Sequence, residues 1–112
     1  MKRGDIWLVN LDPSIGHEYK KSRPAVIIQN NLGNKHSPIT IIAPTTSKKL
    51  DRVYPVEVLL PKNITGQKTK VVLNHIRAVD KQRLIKKIGK VDGFIQEKID
   101  EALKISIGLK KI

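Results

Sequence analysis

The feature that most constrains the fold of this sequence is a succession of short apolar segments rich in β-branched residues. They lie at residues 5–11, 24–29, 39–44, 54–60, 70–79 and 84–91. Turn-forming stretches such as "DPSIG" separate them, and we expect "NNLGNKHSP" and "PKNITGQKT" to be loops or turns as well. Five or six short strands at close spacing, with little helix between them, predict an antiparallel barrel or roll rather than a parallel sheet.

The periodicity changes after Asp92. Ile95, Ile99 and Ala102 recur at helical spacing, and Asp92 is an available N-cap. Lysines at 110 and 111 lie favourably at the negative end of the helix dipole. The sequence therefore predicts one closing helix that packs on the barrel.

Length and composition indicate a single domain over residues 1–112, without a membrane span or a signal-peptide core, and therefore a cytoplasmic protein. The absence of cysteine agrees with a reducing compartment. It leaves His17, His36 and His75 as the only soft metal ligands, and they do not have the spacing of a metal site. We expect neither a metal nor a cofactor.

The formal net charge is +12, and it is unevenly distributed. Residues 1–91 carry 18 Lys/Arg against 6 Asp/Glu, whereas residues 92–112 carry 4 against 4. Such a field attracts polyanions, with nucleic acid first and an acidic protein tail or an anionic membrane surface behind it. High net charge that only keeps the protein soluble remains an alternative.

Polar residues that can do chemistry follow three of the expected strands. They are His17, Glu18 and Arg23 after the first strand, Thr45, Thr46 and Ser47 after the third, and Asn74, His75 and Arg77 near the fifth. Taken singly, each has a structural explanation, such as satisfying the amides of a turn. Because strand ends of one barrel can meet, we expect these groups to converge on one cleft.

In order along the chain, the sequence contains "RGDIWLVNLDPSIGHEYKKSRPAVIIQN", "PTTS", "YPVEVLL" and "IRAVDKQRL". It resembles the MazF/PemK toxins, the RNA-cleaving halves of bacterial toxin–antitoxin pairs, over nearly its whole length. The resemblance implies a small SH3-like, CcdB-like β-barrel with a C-terminal helix that forms a homodimer. It also implies metal-independent, sequence-specific cleavage of single-stranded RNA.

The resemblance assigns the reaction to the arginine of the "RP" pair and the threonine of the Thr-Ser pair, which here are Arg23 and Thr46. The loop acid of the family corresponds to Glu18, and the histidine implicated in the PemK branch corresponds to His17. Many members carry an acid and a glutamine where this chain has Asn74 and His75. The role of that acid therefore does not transfer to Asn74, and His75 is either a proton shuttle or a base-binding residue.

Residue chemistry agrees with these roles. RNA supplies its own nucleophile, the 2′-hydroxyl, so the protein has to align it, move protons and stabilise charge on the phosphoryl oxygens. Arg23 can donate two parallel hydrogen bonds and Thr46 one more. Pro24 biases Arg23 toward extended geometry at the strand entrance. The proton carrier stays open among Glu18, His17 and His75.

The expected RNA-binding surface surrounds these residues. It comprises Lys20, Lys21, Ser47, Lys48, Lys49, Asn74, His75 and Arg77. The resemblance also implies a cognate antitoxin of the MazE/PemI type, and we expect its acidic segment to compete with RNA for the lysines.

Two other functions remain open. One is a basic, non-catalytic nucleic-acid-binding barrel, although the 4% aromatic content provides few groups for base stacking. The other is a gyrase-poisoning protein of the CcdB type, which needs no Arg-Thr site.

Overall fold

The computed structural model describes residues 1–112 and contains seven β-strands and three α-helices. The strands are β1 (Asp5–Asn10), β2 (Ser22–Ile27), β3 (Ile39–Thr46), β4 (Glu57–Leu60), β5 (Thr69–Val72), β6 (Arg77–Asp80) and β7 (Leu84–Lys90). The helices are α1 (Asn31–His36), α2 (Lys62–Thr65) and α3 (Gly93–Ser106), with short 3-10 helices at Leu73–His75 and Lys81–Arg83. The prediction of a mainly antiparallel β fold with a closing C-terminal helix is confirmed.

Strand β3 organises the sheet because it pairs with three other strands. One edge pairs with β2, and the other is shared between β6, opposite residues 39–42, and β5, opposite Thr45 and Thr46. The full path runs β4-β5-β3-β2-β1-β7, with all pairs antiparallel. Its end strands, β4 and β7, do not pair with each other, so backbone hydrogen bonds do not close the expected barrel.

Alternate residues of the central strands are buried on opposite faces of the sheet. Val26 belongs to a core that α3 covers with Ile95, Ile99 and Ala102. Its neighbours Ala25 and Ile27 belong to a second, smaller core that includes Val9, Leu11, Ile42 and Val79. Because β2 is buried on both faces, it is a rigid support for the residues at its start.

Helix α3 begins as the sequence predicts. The Asp92 side chain accepts a hydrogen bond from the Ile95 amide at 2.8 Å. Arg3 donates to Asp100 at 2.8 Å and ties the N-terminal segment to the helix. None of the helices combines the length and apolar character that a membrane crossing requires.

Three local predictions are wrong. The expected loop at 30–38 contains α1, which Asn30 caps by accepting from the Gly33 amide at 2.8 Å. The buried Asn34 anchors α1, because its side chain donates to the Gln29 carbonyl and accepts from Thr40. The expected turn after residue 60 contains the single-turn α2, which ends at Gly66 with a positive φ of 88°.

The third error concerns residues 70–79, predicted as one strand. The 3-10 helix Leu73–His75 divides them into β5 and β6, which raises the number of strands to seven. Strand boundaries also shift, since β2 begins at Ser22 and β4 only at Glu57. Within β4 the side chains alternate, since Val58 and Leu60 are buried and Leu59 is exposed.

Candidate active site

Arg23 is the second residue of β2, and its guanidinium is fixed by backbone carbonyls. Nε and Nη2 both donate to the Lys20 carbonyl at 3.2 Å, and Nη1 donates to the Thr45 carbonyl at 3.2 Å. The Lys20 carbonyl belongs to the β1–β2 loop, whereas Thr45 lies in β3. Arg23 therefore connects the loop to the sheet, and one N–H on each terminal nitrogen has no partner within the chain.

Thr45 and Thr46 are adjacent in β3 but have different environments. The Thr45 hydroxyl is buried and donates to the Pro24 carbonyl at 2.7 Å. The Thr46 hydroxyl is half-buried and accepts from the Lys48 amide at 3.2 Å, as in a Ser/Thr turn. It donates no hydrogen bond within the chain, so of the two hydroxyls only that of Thr46 has a hydrogen free for a ligand.

Strand register brings Arg23 and Thr46 together. Ala25 pairs with Pro44 in the β2–β3 ladder, and continuing this antiparallel register by two residues places Arg23 opposite Thr46. Both side chains line one cleft of about 330 Å³, together with Tyr19, Ser47 and Lys48. The cleft is polar and cationic, as a site for a phosphodiester requires.

Tyr19 lies at the centre of the site, and the sequence analysis did not assign it a role. Its ring stacks on that of His75 at 4.8 Å between centroids, and the Arg23 guanidinium lies 4.5 Å from the Tyr19 centroid. Burial raises the pKa of Tyr19 above its usual value of 10.0, although the cationic Arg23 opposes the shift. The only sequence signal was an aromatic residue within the cation-rich loop "EYKKSR".

Tyr19 also joins the 330 Å³ cleft to two others. A second cleft of about 240 Å³ contains Glu18, Asn74, His75 and Arg77, and a third of about 520 Å³ lies beyond Thr46. The three strand ends that the sequence analysis grouped therefore meet around one tyrosine. His17 is exposed in the loop and lines none of the three clefts.

Several expected site residues also have structural roles. The Glu18 carboxylate accepts from the Ile15 amide at 2.6 Å and shapes its own loop. Arg77 donates at 3.3 Å to the carbonyl of Leu11, the residue that follows β1. Asn74 and Ser47 are exposed, and no hydrogen bond from either side chain fixes it within the chain.

The predicted lysines divide into two groups. Lys48 lines both the 330 Å³ and the 520 Å³ clefts, and Lys49 lines the latter. Lys20 and Lys21 are exposed beside Arg23 but line none of the clefts. Lys21 adopts a left-handed conformation with φ of 62°, and its amide donates to the Asp12 carboxylate at 2.9 Å.

Comparison with solved structures identifies the fold. A mycobacterial endoribonuclease solved in complex with its cognate antitoxin matches with a TM-score of 0.83, covering 100% of this chain and 99% of that one at 22% identity. MazF from Deinococcus radiodurans matches with a TM-score of 0.85, covering 96% of each chain at 25% identity. The fold is thus that of the MazF structures.

Sequence comparison then identifies the family. Residues 2–107 match the PemK-like, MazF-like toxin family of type II toxin–antitoxin systems. Endoribonuclease EndoA of Bacillus subtilis is 38% identical over 97% of this chain and 96% of its own length. Endoribonuclease MazF9 of Mycobacterium tuberculosis is 36% identical over 97% of this chain and 98% of its own. The chain belongs to the PemK/MazF toxin family, and the predictions of this family and of an enzyme are confirmed.

Proposed function

We propose that the chain is the toxin of a toxin–antitoxin pair, a sequence-specific endoribonuclease that cuts single-stranded RNA in the cytoplasm without a metal ion. Residues 1–112 act as one endoribonuclease domain. Family membership and the names of the curated relatives support the activity. The observation that carries the proposal is that Arg23 and Thr46, from neighbouring strands, offer uncommitted donors to one cationic cleft.

The reaction uses the 2′-hydroxyl of the substrate as nucleophile. Its oxygen attacks the adjacent phosphorus, the bond to the 5′ oxygen breaks, and the products are a cyclic phosphate and a 5′-hydroxyl. Arg23 donates its two remaining N–H groups to the phosphoryl oxygens, where negative charge develops, and Thr46 donates its hydroxyl hydrogen. Because three hydrogen bonds already orient the guanidinium, little reorganisation is needed when the substrate binds.

Two proton transfers complete the reaction. A base accepts the proton of the 2′-hydroxyl, and an acid protonates the departing 5′ oxygen. Glu18 and His17 are the proposed loop residues for these steps, with His75 as the alternative. The arrangement favours Glu18 and His75, since both line the cleft joined to Arg23 through Tyr19, whereas His17 lies outside it.

We further propose that the protein is a homodimer controlled by a cognate antitoxin. Structures of relatives in complex with a cognate antitoxin or with MazE support this control. With a net charge of +12, the surface around the clefts attracts an acidic segment as readily as an RNA backbone. Antitoxin and RNA should therefore compete.

The proposal is tested with purified protein and a labelled RNA in EDTA. We expect cleavage that ends in a cyclic phosphate, no cleavage of a substrate with a 2′-deoxy sugar at the scissile position, and none by Arg23→Ala. Equal cleavage of the deoxy substrate would refute the mechanism. Binding without cleavage would favour the non-catalytic barrel, and gyrase inhibition without either would favour the CcdB-type alternative.

A further inference from the structure

Lys70 is a buried cation that directly neighbours the proposed site. It lies in β5, pairs with Thr46 in the β3–β5 ladder, and is only 4% exposed. Its ammonium group donates to the Lys49 carbonyl at 3.0 Å, the Arg52 carbonyl at 2.8 Å and the Glu57 carboxylate at 2.9 Å. All three ammonium hydrogens are therefore engaged, and none is left for a ligand.

The partners of Lys70 enclose one segment of chain, residues 47–56, which we call the β3–β4 loop. Two of them are carbonyls within the loop, and the third, Glu57, begins β4. The Glu57 carboxylate also accepts from the Tyr54 amide at 3.0 Å, and the Glu57 amide donates to the Tyr54 carbonyl at 2.8 Å. The ion pair between Lys70 and Glu57 therefore fixes both the middle and the end of the loop.

One residue of this loop has an energetically unfavourable backbone conformation. Lys49 has a φ of 54°, in the left-handed region that costs a non-glycine residue energy. The carbonyl of this residue is one of the two carbonyls that Lys70 binds. Because a buried ammonium is stable only when fully hydrogen-bonded, Lys70 and the loop conformation depend on each other.

The loop carries much of the cationic surface beside Thr46. Lys48, Lys49 and Arg52 line the 520 Å³ cleft together with Thr46 and Tyr19. The first turn of the loop is joined to the site, since the Lys48 amide donates to the Thr46 hydroxyl. Displacing the loop would therefore move the phosphate-binding lysines relative to Thr46.

We propose that Lys70, paired with Glu57, is a positioning residue that presents Lys48 and Lys49 to the RNA backbone. The inference rests on the proposed function and deepens it by naming what sets the geometry of the substrate-binding loop. Lys70 acts through the loop and does not contact RNA itself. A purely structural contribution of the ion pair would stabilise the fold without affecting how lysines meet phosphates.

The test compares three variants with the wild-type protein and with a control variant. Lys70→Met with Glu57→Gln removes the ion pair and leaves the net charge at +12, because one charge of each sign is lost. Lys48→Ala with Lys49→Ala removes the lysines directly, and the third protein combines all four changes. Lys104→Met with Glu101→Gln is the matched control, since it removes a surface ion pair of α3 and also leaves the net charge at +12.

The readout is the affinity for a 2′-O-methyl RNA oligonucleotide, which lacks the nucleophile and stays intact, measured across potassium chloride concentrations. Each lysine that contacts a single-stranded backbone adds about 0.7 to the slope of log Kd against log salt. Because the ion-pair variant should misplace both Lys48 and Lys49, its slope should be lower than that of the wild-type protein by about 1.4. The fold-change in Kd between about 0.05 and 0.5 M salt should then shrink about 25-fold.

The combined variant shows whether Lys70 acts through Lys48 and Lys49. If Lys70 acts by positioning Lys48 and Lys49, the combined variant should bind no more weakly than the variant lacking the two lysines. An unchanged salt slope, or a further full loss in the combined variant, overturns the inference. Circular dichroism and melting curves confirm folding at the assay temperature. If the ion-pair variant is unfolded, Lys70→Gln with Glu57→Gln replaces it, because it also removes both charges but keeps polar groups that can bond to each other and to the loop carbonyls, and it should show a smaller loss of the same sign.

Failure of the inference and failure of the proposed function have different signatures. If the wild-type protein cleaves RNA but the ion-pair variant binds with an unchanged slope, only the inference fails. If the wild-type protein binds but cleaves no RNA, the proposed function fails, while the binding measurements still report on the loop.

Discussion

Replacing each of the two adjacent threonines by valine should separate stability from catalysis. Valine matches the shape of threonine but lacks its hydroxyl. At Thr45 the change removes a buried 2.7 Å hydrogen bond to the Pro24 carbonyl, whereas at Thr46 it removes a half-buried hydroxyl with one 3.2 Å contact. The same substitution at neighbouring positions therefore affects two different functions of one strand.

The expected magnitudes follow from these environments. Thr45→Val leaves the Pro24 carbonyl without that donor, which costs about 1–3 kcal/mol of unfolding free energy and lowers Tm by roughly 4–12 °C. Thr46→Val loses about 0.5 kcal/mol or less, because water can replace its contact. Removing a donor to the phosphoryl oxygens should instead lower kcat by about 100- to 1000-fold.

The assays are thermal unfolding and single-turnover cleavage of a labelled RNA, well below the lowest Tm. We expect a crossed result, in which Thr45→Val is unstable but catalytically normal and Thr46→Val is stable but nearly inactive. Activity of Thr46→Val within about tenfold of wild type would show that its hydroxyl does not act on the transition state. Equal losses of cleavage rate in the two variants would show that catalysis depends only on the integrity of the end of β3.

Three further predictions concern the surroundings of the site. Arg23→Lys should bind RNA but lose about 100-fold or more in kcat, because an ammonium group cannot bond to two carbonyls and still donate two parallel hydrogen bonds to a phosphate. Near-normal turnover would contradict the bidentate role of Arg23. Tyr19→Phe should keep the ring stack and most of the activity, whereas Tyr19→Ala should lose both. The ultraviolet titration of Tyr19, obtained by subtracting the curve of Tyr19→Phe from that of the wild-type protein, should have its midpoint above pH 10.0. Equal activity of the two variants, or a midpoint at or below pH 10.0, would refute this account. Neutralising Lys20, Lys21, Lys48 and Lys49 should weaken the binding of both RNA and an acidic peptide, and the effect should be larger at low salt. Unchanged affinities would show that the positive charge serves solubility alone.

Those features that depend on residues close in sequence could be predicted. Helix α3 shows its period and its Asp92 cap within one segment, and the β-branched runs show the strands. Arg23 and Thr46 were singled out because each is adjacent to a strand and belongs to a family motif. The structure adds that both side chains line one cleft and that extending the β2–β3 register places the two residues opposite each other.

The remaining features depend on contacts between distant residues. Helix α1 has a weak propensity of its own and depends on Asn34 bonding to Gln29 and Thr40. Tyr19 meets His75, 56 positions away, only because the β1–β2 loop lies against the 3-10 helix between β5 and β6. Nothing local marks Lys70, in a short apolar strand, as a buried cation bound to loop carbonyls.

The proposed catalytic donors and the proposed binding charges are held in different ways, and this difference has a consequence for function. Arg23 and Thr46 belong to strands of a sheet buried on both faces, and backbone carbonyls orient Arg23. The lysines belong to loops whose shapes depend on Asp12 for Lys21 and on Lys70 for Lys49. Substitutions that alter these loop supports should change which RNA is bound while the Arg23–Thr46 geometry persists. Sequence preference can therefore diverge between relatives without loss of the proposed cleavage chemistry, because that chemistry uses the substrate's own 2′-hydroxyl, a few fixed donors and the groups that transfer its two protons.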